Sequence, residues 1–370
     1  MTVTADIAFR PLAAGQVSLV RVKQSDLILF ATQLSVMLDS GVVLSDALEA
    51  IADQDRPGVF RAVIRDVAAR IRTGDSFSDA LARYPRIFSP MFISMVQASE
   101  ASGNLPHMLD VLSKYLNADA ETRKEIKGAM IYPVVILLMA VAATGSLMFF
   151  VLPRFSRIYE ARGAALPKIT QILVRCSSLL GDSQVLTVLA TVFILGWMGL
   201  RAWKGTVAGQ RTLDWMKVRL PVLGTMFVDA VMTRSMRIMA TMVGTGVSLL
   251  DALQVMRTSC ENYYFRSLWA AADAKIRDGY QLSDAITLSP HSSLVAPGVI
   301  QMLRAGEKSG QIGRVCDKAS LFYEKKLQNS IRTVTALIEP LMILIMGGIV
   351  GTIAIALLLP VFRISSVMSH

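Results

Sequence analysis

The sequence predicts an all-α membrane protein: two homologous cytoplasmic helical bundles, each followed by a transmembrane helix, with a further transmembrane helix between them. Three observations lead there. Long uncharged runs interrupt an otherwise charged chain, its two halves repeat one another at a nearly constant offset, and no alternating apolar run of strand length separates the helical stripes.

The uncharged runs come first. No charge occurs from Gly128 to Pro153, and the stretch 131–152 is 22 residues long, enough to cross roughly 30 Å of hydrocarbon as a helix. Ser183 to Leu200 is uncharged over 18 residues and Pro340 to Phe362 over 23. Transmembrane helices are therefore expected at 131–153, 183–203 and 336–360. With 53% hydrophobic and 18% charged residues and a mean hydropathy of +0.49 over 370 residues, the composition fits part membrane and part water.

Lys and Arg near the helix ends orient the spans. Lys318, Lys325, Lys326 and Arg332 precede the third span with only Arg363 after it, and Arg201, Lys204, Arg211, Lys217 and Arg219 follow the second. The first span has cations on both sides. The expected layout is a flexible segment 1–24, a cytoplasmic bundle 25–130, an external loop 154–182, a second cytoplasmic bundle 204–335 and an external tail 361–370. The amino terminus lacks a basic start followed by an apolar core, so no cleaved leader is expected. Residues 1–127 carry a net charge of −1 and residues 201–335 a net +8. A basic surface beside a bilayer favours membrane lipids with anionic headgroups; without interleaved aromatics it gives no ground for a nucleic-acid partner.

The repeat defines the bundles. LSVMLDSGVVLSDAL (34–48) aligns with MATMVGTGVSLLDAL (239–253), and RIRTGDSFSDAL (70–81) with KIRDGYQLSDAI (275–286), both at an offset of 205. Farther on the offset is 207, pairing Glu100 with Glu307, Gly103 with Gly310, Pro133 with Pro340 and Pro153 with Pro360. Within a copy, Leu27, Phe30, Leu34, Met37 and Leu38 recur at three- and four-residue steps, an amphipathic helix ended by Gly41. Ser78 and Ser283 are expected to cap the next short helices. Pro133 and Pro340 are expected at the first turn of their spans, where a missing donor costs little, with Pro153 and Pro360 near the far ends. Gly347 and Gly351 are four apart on the third span and allow close helix approach, within the chain or between subunits of a homo-oligomer.

Three features resemble the type II secretion system F family of inner-membrane platform proteins: the glycine-to-Asp-Ala-Leu segment in both halves, AGEKSGQI at 305–312, and IEPLMILIMGGIVGTIAIALLLPVF at 338–362. The resemblance runs over nearly the whole chain from about residue 25. One departure is ASEASGNLP at 98–106, where Ser99 stands in the place of Gly306. The resemblance implies a multi-pass protein of the bacterial inner membrane, amino terminus cytoplasmic and carboxyl terminus periplasmic. It also implies coupling of a hexameric cytoplasmic assembly ATPase to extraction of pilin or pseudopilin subunits, alongside other inner-membrane assembly proteins. Glu100, Gly103, Glu307 and Gly310 are the candidate residues of the bundles, either a capping carboxylate with a turn glycine or a partner contact. Glu339 sits at a helix entrance, where helix-start electrostatics, a neighbouring cation or a pilin amine would suit it.

The chemistry absent from the sequence agrees with a platform. There is no GxxxxGK[ST] loop, so nucleotide turnover is expected of a partner. Cys176, Cys260 and Cys316 have no paired spacing and His107, His291 and His370 are scattered, so no cofactor, metal or enzymatic site is expected. The alternative, a transporter or channel subunit, calls for a path lined by polar groups at membrane depth; the sequence supplies hardly any, with the charged Glu339 at a helix entrance.

Overall fold

The computed structural model describes residues 22–54, 58–151, 154, 183–221 and 223–367, and every regular element among them is helical. The expected segment 1–24 up to residue 21, the expected loop beyond residue 154, Pro153, Cys176 and the last three residues lie outside the described residues.

The first copy comprises α1 (Gln24–Asp39), α2 (Leu44–Gln54), α3 (Val59–Arg72), α4 (Phe77–Ala82), α5 (Pro90–Ser102) and α6 (Leu105–Ser146), with a π-helical turn at Leu147–Val151. Two helices lead on from there, α7 (Ser183–Gly205) and α8 (Val207–Arg219). The second copy repeats the order as α9 (Leu223–Gly244), α10 (Leu249–Ser259), α11 (Tyr263–Arg277), α12 (Leu282–Thr287), α13 (Pro297–Lys308) and α14 (Ile312–Val367). The offset changes because the α12–α13 connection is two residues longer than the α4–α5 connection. The longer loop holds a 3-10 turn, Ser292–Leu294, entered through His291 at φ 64°.

The chain forms two compact units. The first joins the described residues up to Lys124 to Phe227–Leu327, so it contains both bundles; α5 of one copy touches α10 of the other. Its interior is mostly apolar. In the first copy Phe30 stands edge-on to Phe60 at 5.7 Å between centroids, and Phe88 lies 6.1 Å from Phe30 and 5.1 Å from Phe92. In the second copy Phe265, Trp269 and Tyr323 are fully buried. Truncating one such ring to alanine costs about 3–5 kcal/mol, because the surroundings only partly collapse into the space.

Local hydrogen bonds start several helices. Ser76, Ser89 and Ser248 accept from the N–H groups of Asp79, Phe92 and Asp251, and Asn262 accepts from Tyr264. Each satisfies a donor that has no partner within its helix. The expected caps Ser78 and Ser283 are instead inside the first turns of α4 and α12. A hydroxyl must precede the helix by a turn's reach to meet its free amides, and in α4 that place belongs to Ser76.

The second unit joins Glu125–Met226 to the residues from Gln328 onward. Among the described residues two helices, Leu105–Ser146 and Ile312–Ile355, are long and apolar enough to cross a membrane, and almost all of their apolar stretch lies on the surface. The position of the prolines differs from expectation. Pro133 and Pro340 stand deep inside α6 and α14, not at first turns. The loss of charge near these prolines marks a change of solvent, whereas the helices begin farther back, just after the left-handed Gly103 and Gly310. Each proline removes one donor, leaving the carbonyl four residues back, Ala129 or Ala336, without its usual helical partner. At its far end α14 continues through Pro360 to Val367, so the expected tail begins as helix.

Two buried groups make the first unit sensitive to alkali. Burial, with a contribution from the charge of Glu307, pushes the Cys316 thiol up to about 12, and burial pushes the Tyr323 hydroxyl up to about 12. Both are held neutral in the fold and ionise more easily once unfolded, at 9.0 and 10.0. Their contribution is complete below pH 9 and is lost as pH rises towards about 12. Thermal unfolding in detergent is expected to show a lower midpoint at pH 10.5 than at pH 8, with a smaller difference in the Cys316→Ala, Tyr323→Phe double variant; an equal difference in the variant would contradict the assignment.

Candidate functional site

Glu100 with Gly103, Glu307 with Gly310, and Glu339 with Gly347 lie at three places: one turn in each bundle, and a groove between α6 and α14 in the second unit. The two bundle turns are built alike. A six-residue helix such as α4 has more free N–H groups at its start than one local cap can serve. In the first copy Glu100, near the end of α5, reaches across: Oε1 accepts from the Phe77 N–H at 2.5 Å and Oε2 from the Ser78 N–H at 3.2 Å. Ser78 Oγ donates to the same carboxylate at 2.5 Å. In the second copy Glu307 Oε1 accepts from the Leu282 N–H and Oε2 from the Ser283 N–H at 3.1 Å. A carboxylate astride the positive end of a helix both accepts hydrogen bonds and meets the favourable side of its dipole.

The two copies divide the work differently. In α4 the Ser76 hydroxyl assists the carboxylate by accepting from the Asp79 N–H at 3.1 Å, while Gln281 before α12 provides no such bond. Glu307 therefore carries more of the cap than Glu100 does. Ser283 Oγ is buried without a hydrogen-bond partner, in contrast to Ser78. Arg304 adds a bond at 2.8 Å to Asp284 in the first turn of α12.

Gly103 and Gly310 follow within three residues of these acids and turn the chain from α5 into α6 and from α13 into α14. Their φ values of +74° and +67° lie in the left-handed region, where a side chain is unfavourable. Neither position is crowded, so backbone conformation alone calls for glycine there. Gly306 is glycine for a different reason: a Cβ there would stand 2.8 Å from Val315 Cγ2. The first copy carries Ser99 and Met108 at the matching positions, and methionine is unbranched at Cβ. The departure at Ser99 thus leaves the bonds of Glu100 intact.

In the second unit an open groove of about 390 Å³ is lined by Tyr132 and Ile136 of α6 and by Glu339, Met342, Met346 and Gly347 of α14. Its lining is mostly apolar, and the flexible thioethers of Met342 and Met346 can adapt to an occupant. Glu339 is exposed on the groove, one residue ahead of Pro340. At Gly347 and Gly351 no described atom outside the helix would lie within 4 Å of an added Cβ, so close packing of these glycines inside the chain is not observed. Pro133 lies in α6 beside Tyr132, a groove residue.

Sequence reasoning identified Glu100 and Glu307 but not their targets, which lie 22–25 residues away. It also missed Arg237, which joins Thr122 and Glu324 at 3.3 and 3.0 Å. A comparison of the copies would have marked that residue, since Thr32 occupies its place in the first.

Comparison with known proteins supplies the context. The family described as type II secretion system (T2SS), protein F matches twice, over residues 30–153 and 235–360. A type IV pilus assembly protein PilC of Thermus thermophilus is 33% identical over 93% of the chain and 84% of its own length. PilC of Pseudomonas aeruginosa is 28% identical over 96% and 93%, and a type II secretion system protein F of Aeromonas hydrophila is 27% identical over 93% and 88%.

The geometry sets an order of effects. Glu307→Gln, which keeps one acceptor oxygen, is expected to destabilise the fold by about 1 kcal/mol, and Glu307→Ala by about 2 kcal/mol. Glu100→Ala is expected to cost less than Glu307→Ala, because Ser76 remains in place. Urea unfolding followed by circular dichroism in detergent checks both, and equal losses at the two sites would refute the division of work. Gly103→Ala and Gly310→Ala are each expected to cost about 1 kcal/mol through backbone strain.

Proposed function

The chain belongs to the type II secretion system protein F family, and from that membership we propose that it is an inner-membrane platform for type IV pilus assembly or type II secretion, coupling a cytoplasmic assembly ATPase to movement of pilin or pseudopilin subunits. The observation that carries the reading is the double family match, each copy extending from a bundle into a bilayer-length helix. In this reading α7 is a third span, with Phe193, Ile194, Leu195 and Trp197 exposed to lipid. Both bundles and both chain halves that carry them face the cytoplasm, and the carboxyl terminus faces the periplasm.

The platform does no chemistry of its own. Its bundles receive the ATPase, and displacement passes along α6 and α14, which run without a break from bundle to span. Glu100 and Glu307 with Gly103 and Gly310 hold the start of each rod against its bundle, so that a shift of the bundle is a shift of the rod. The groove beside Glu339 receives the apolar helix of a pilin or pseudopilin: methionines fit varied side chains, and the carboxylate suits a cationic group at the lipid boundary. A platform rather than a transporter is supported by the absence of charge from the runs 128–153, 183–200 and 340–362.

Site-specific photo-crosslinkers provide the test. Placed at exposed positions of the bundles, such as Val59 and Leu288, they are expected to capture the assembly ATPase in cells. Placed at Met342 or Met346, they are expected to capture a pilin-like subunit. Failure to capture the ATPase from either bundle, with the protein expressed and the fibre assembled, would remove the coupling. Glu339→Gln is expected to reduce capture at Met342 while leaving ATPase capture unchanged.

A further inference from the structure

Within the first unit the two copies meet through different surfaces, and the meeting is not reciprocal. Arg234 of α9 lies against Tyr115 of α6 and 3.8 Å from Asp119, and Arg237 of α9 donates to Thr122 of α6 at 3.3 Å. The α6 ridge Val111, Tyr115, Ala118 and Thr122 is covered or half-covered, with Tyr115 only 7% exposed. At the offset of 207 the same ridge of α14, as far as the unit extends, reads Lys318, Phe322 and Lys325, and all three are exposed, Phe322 at 47%.

The other side of the contact shows the same imbalance. Arg234, Arg237 and Thr241 on α9 are half-covered, with the Arg237 side chain only 11% exposed. Their counterparts on α1 at the offset of 205 are Leu29, Thr32 and Val36, all exposed, Leu29 at 57% and Val36 at 61%. The chain therefore makes the contact once and carries one unused half of it on each copy.

We propose that a second copy of the chain closes these halves, α1 of one molecule docking on α14 of the next, head to tail, as α9 docks on α6 within the chain. Two properties of the faces favour this occupant. Their centres are apolar, Leu29 and Val36 on one side and Leu321 and Phe322 on the other. Their charges are opposite: Asp26 and Asp39 are exposed on α1, whereas Lys318 and Lys325 are exposed on α14. Where the inner contact uses Arg234 against Tyr115, the outer one would set Leu29 against Phe322, exchanging a polar pair for an apolar one. A contact between unlike surfaces repeats with constant polarity, so such association closes into a ring or continues as an open array.

The inference uses only the first unit and holds or fails independently of the platform reading; a chain that fails the test below and still captures ATPase and pilin leaves that reading standing. The test uses the full-length protein in detergent with Cys176, Cys260 and Cys316 replaced by alanine. Leu29→Cys and Phe322→Cys preparations, mixed and oxidised, are expected to form a disulfide-linked dimer, while neither forms one alone. Self-linking of the Leu29→Cys chain would mean a two-fold contact and overturn the proposal. So would a mixture that stays unlinked, whether the chain is monomeric by mass or associates elsewhere. With the native cysteines retained, Lys318→Glu with Lys325→Glu is expected to weaken self-association about tenfold, and Asp26→Lys with Asp39→Lys in the same chain to restore it. Unchanged association in the first variant would equally overturn the proposal.

Discussion

Each of the two long helices has to satisfy two solvents along one rod. The water-side portions of α6 and α14 bury apolar side chains such as Leu109, Leu112, Leu116 and Cys316, Ala319, Tyr323 against a bundle. Their later portions carry apolar side chains outward, among them Leu138, Val141, Leu341 and Leu344. Hydrocarbon accepts such a surface and water does not, because exposed apolar area costs about 25 cal/mol per Å² in water. A helix is the structure that can make the passage, since its backbone bonds are satisfied internally in either solvent. The remaining features follow from having to anchor and aim these rods.

Anchoring falls to the turn before each rod. The left-handed glycine reverses the chain, and a glutamate three residues earlier holds the beginning of a six-residue helix from the preceding hairpin. One carboxylate thus fastens three elements: the helix it stands on, the short helix it caps, and through the turn the long helix that follows. Short helices depend on such outside acceptors because so few of their N–H groups have partners of their own. The Cys316 thiol, held neutral by burial and by the charge of Glu307, belongs to the same region in the second copy.

The copies differ where they face different neighbours. Gln24 reaches Asp119 at 3.4 Å in the first copy; at the matching positions of the second, Asp229 pairs with Lys326 at 2.9 Å, donor and acceptor exchanged. Asp229 is fully buried, so its pairing satisfies a charge that would otherwise be costly to keep from water. On the outer ridges the difference is larger: Tyr115 is buried and Ala118 half-covered, while Phe322 and Lys325 lie on the surface. A duplicated fold supplies the same contact surfaces twice, and the asymmetric use of them leaves one pair over.

Local and repeating features were determined by the sequence alone. Uncharged runs of membrane length, helical periodicity with Gly41 as a stop, and the Glu-to-Gly spacing at 100–103 and 307–310 depend on residues close together in the chain, whose geometry is set by backbone sterics and helical pitch. Tertiary structure decided what these residues touch. That Glu100 serves Phe77 and Ser78, that Ser76 takes the capping place expected of Ser78, and that Arg237 links Thr122 to Glu324 depend on how the helices pack. The starts of α6 and α14, far ahead of Pro133 and Pro340, were likewise invisible to a search for lost charge, since charge reports the surrounding solvent and not where the backbone begins to coil. A hydrogen bond between distant segments needs only that they meet, and meeting is a property of the packed chain rather than of any spacing along it.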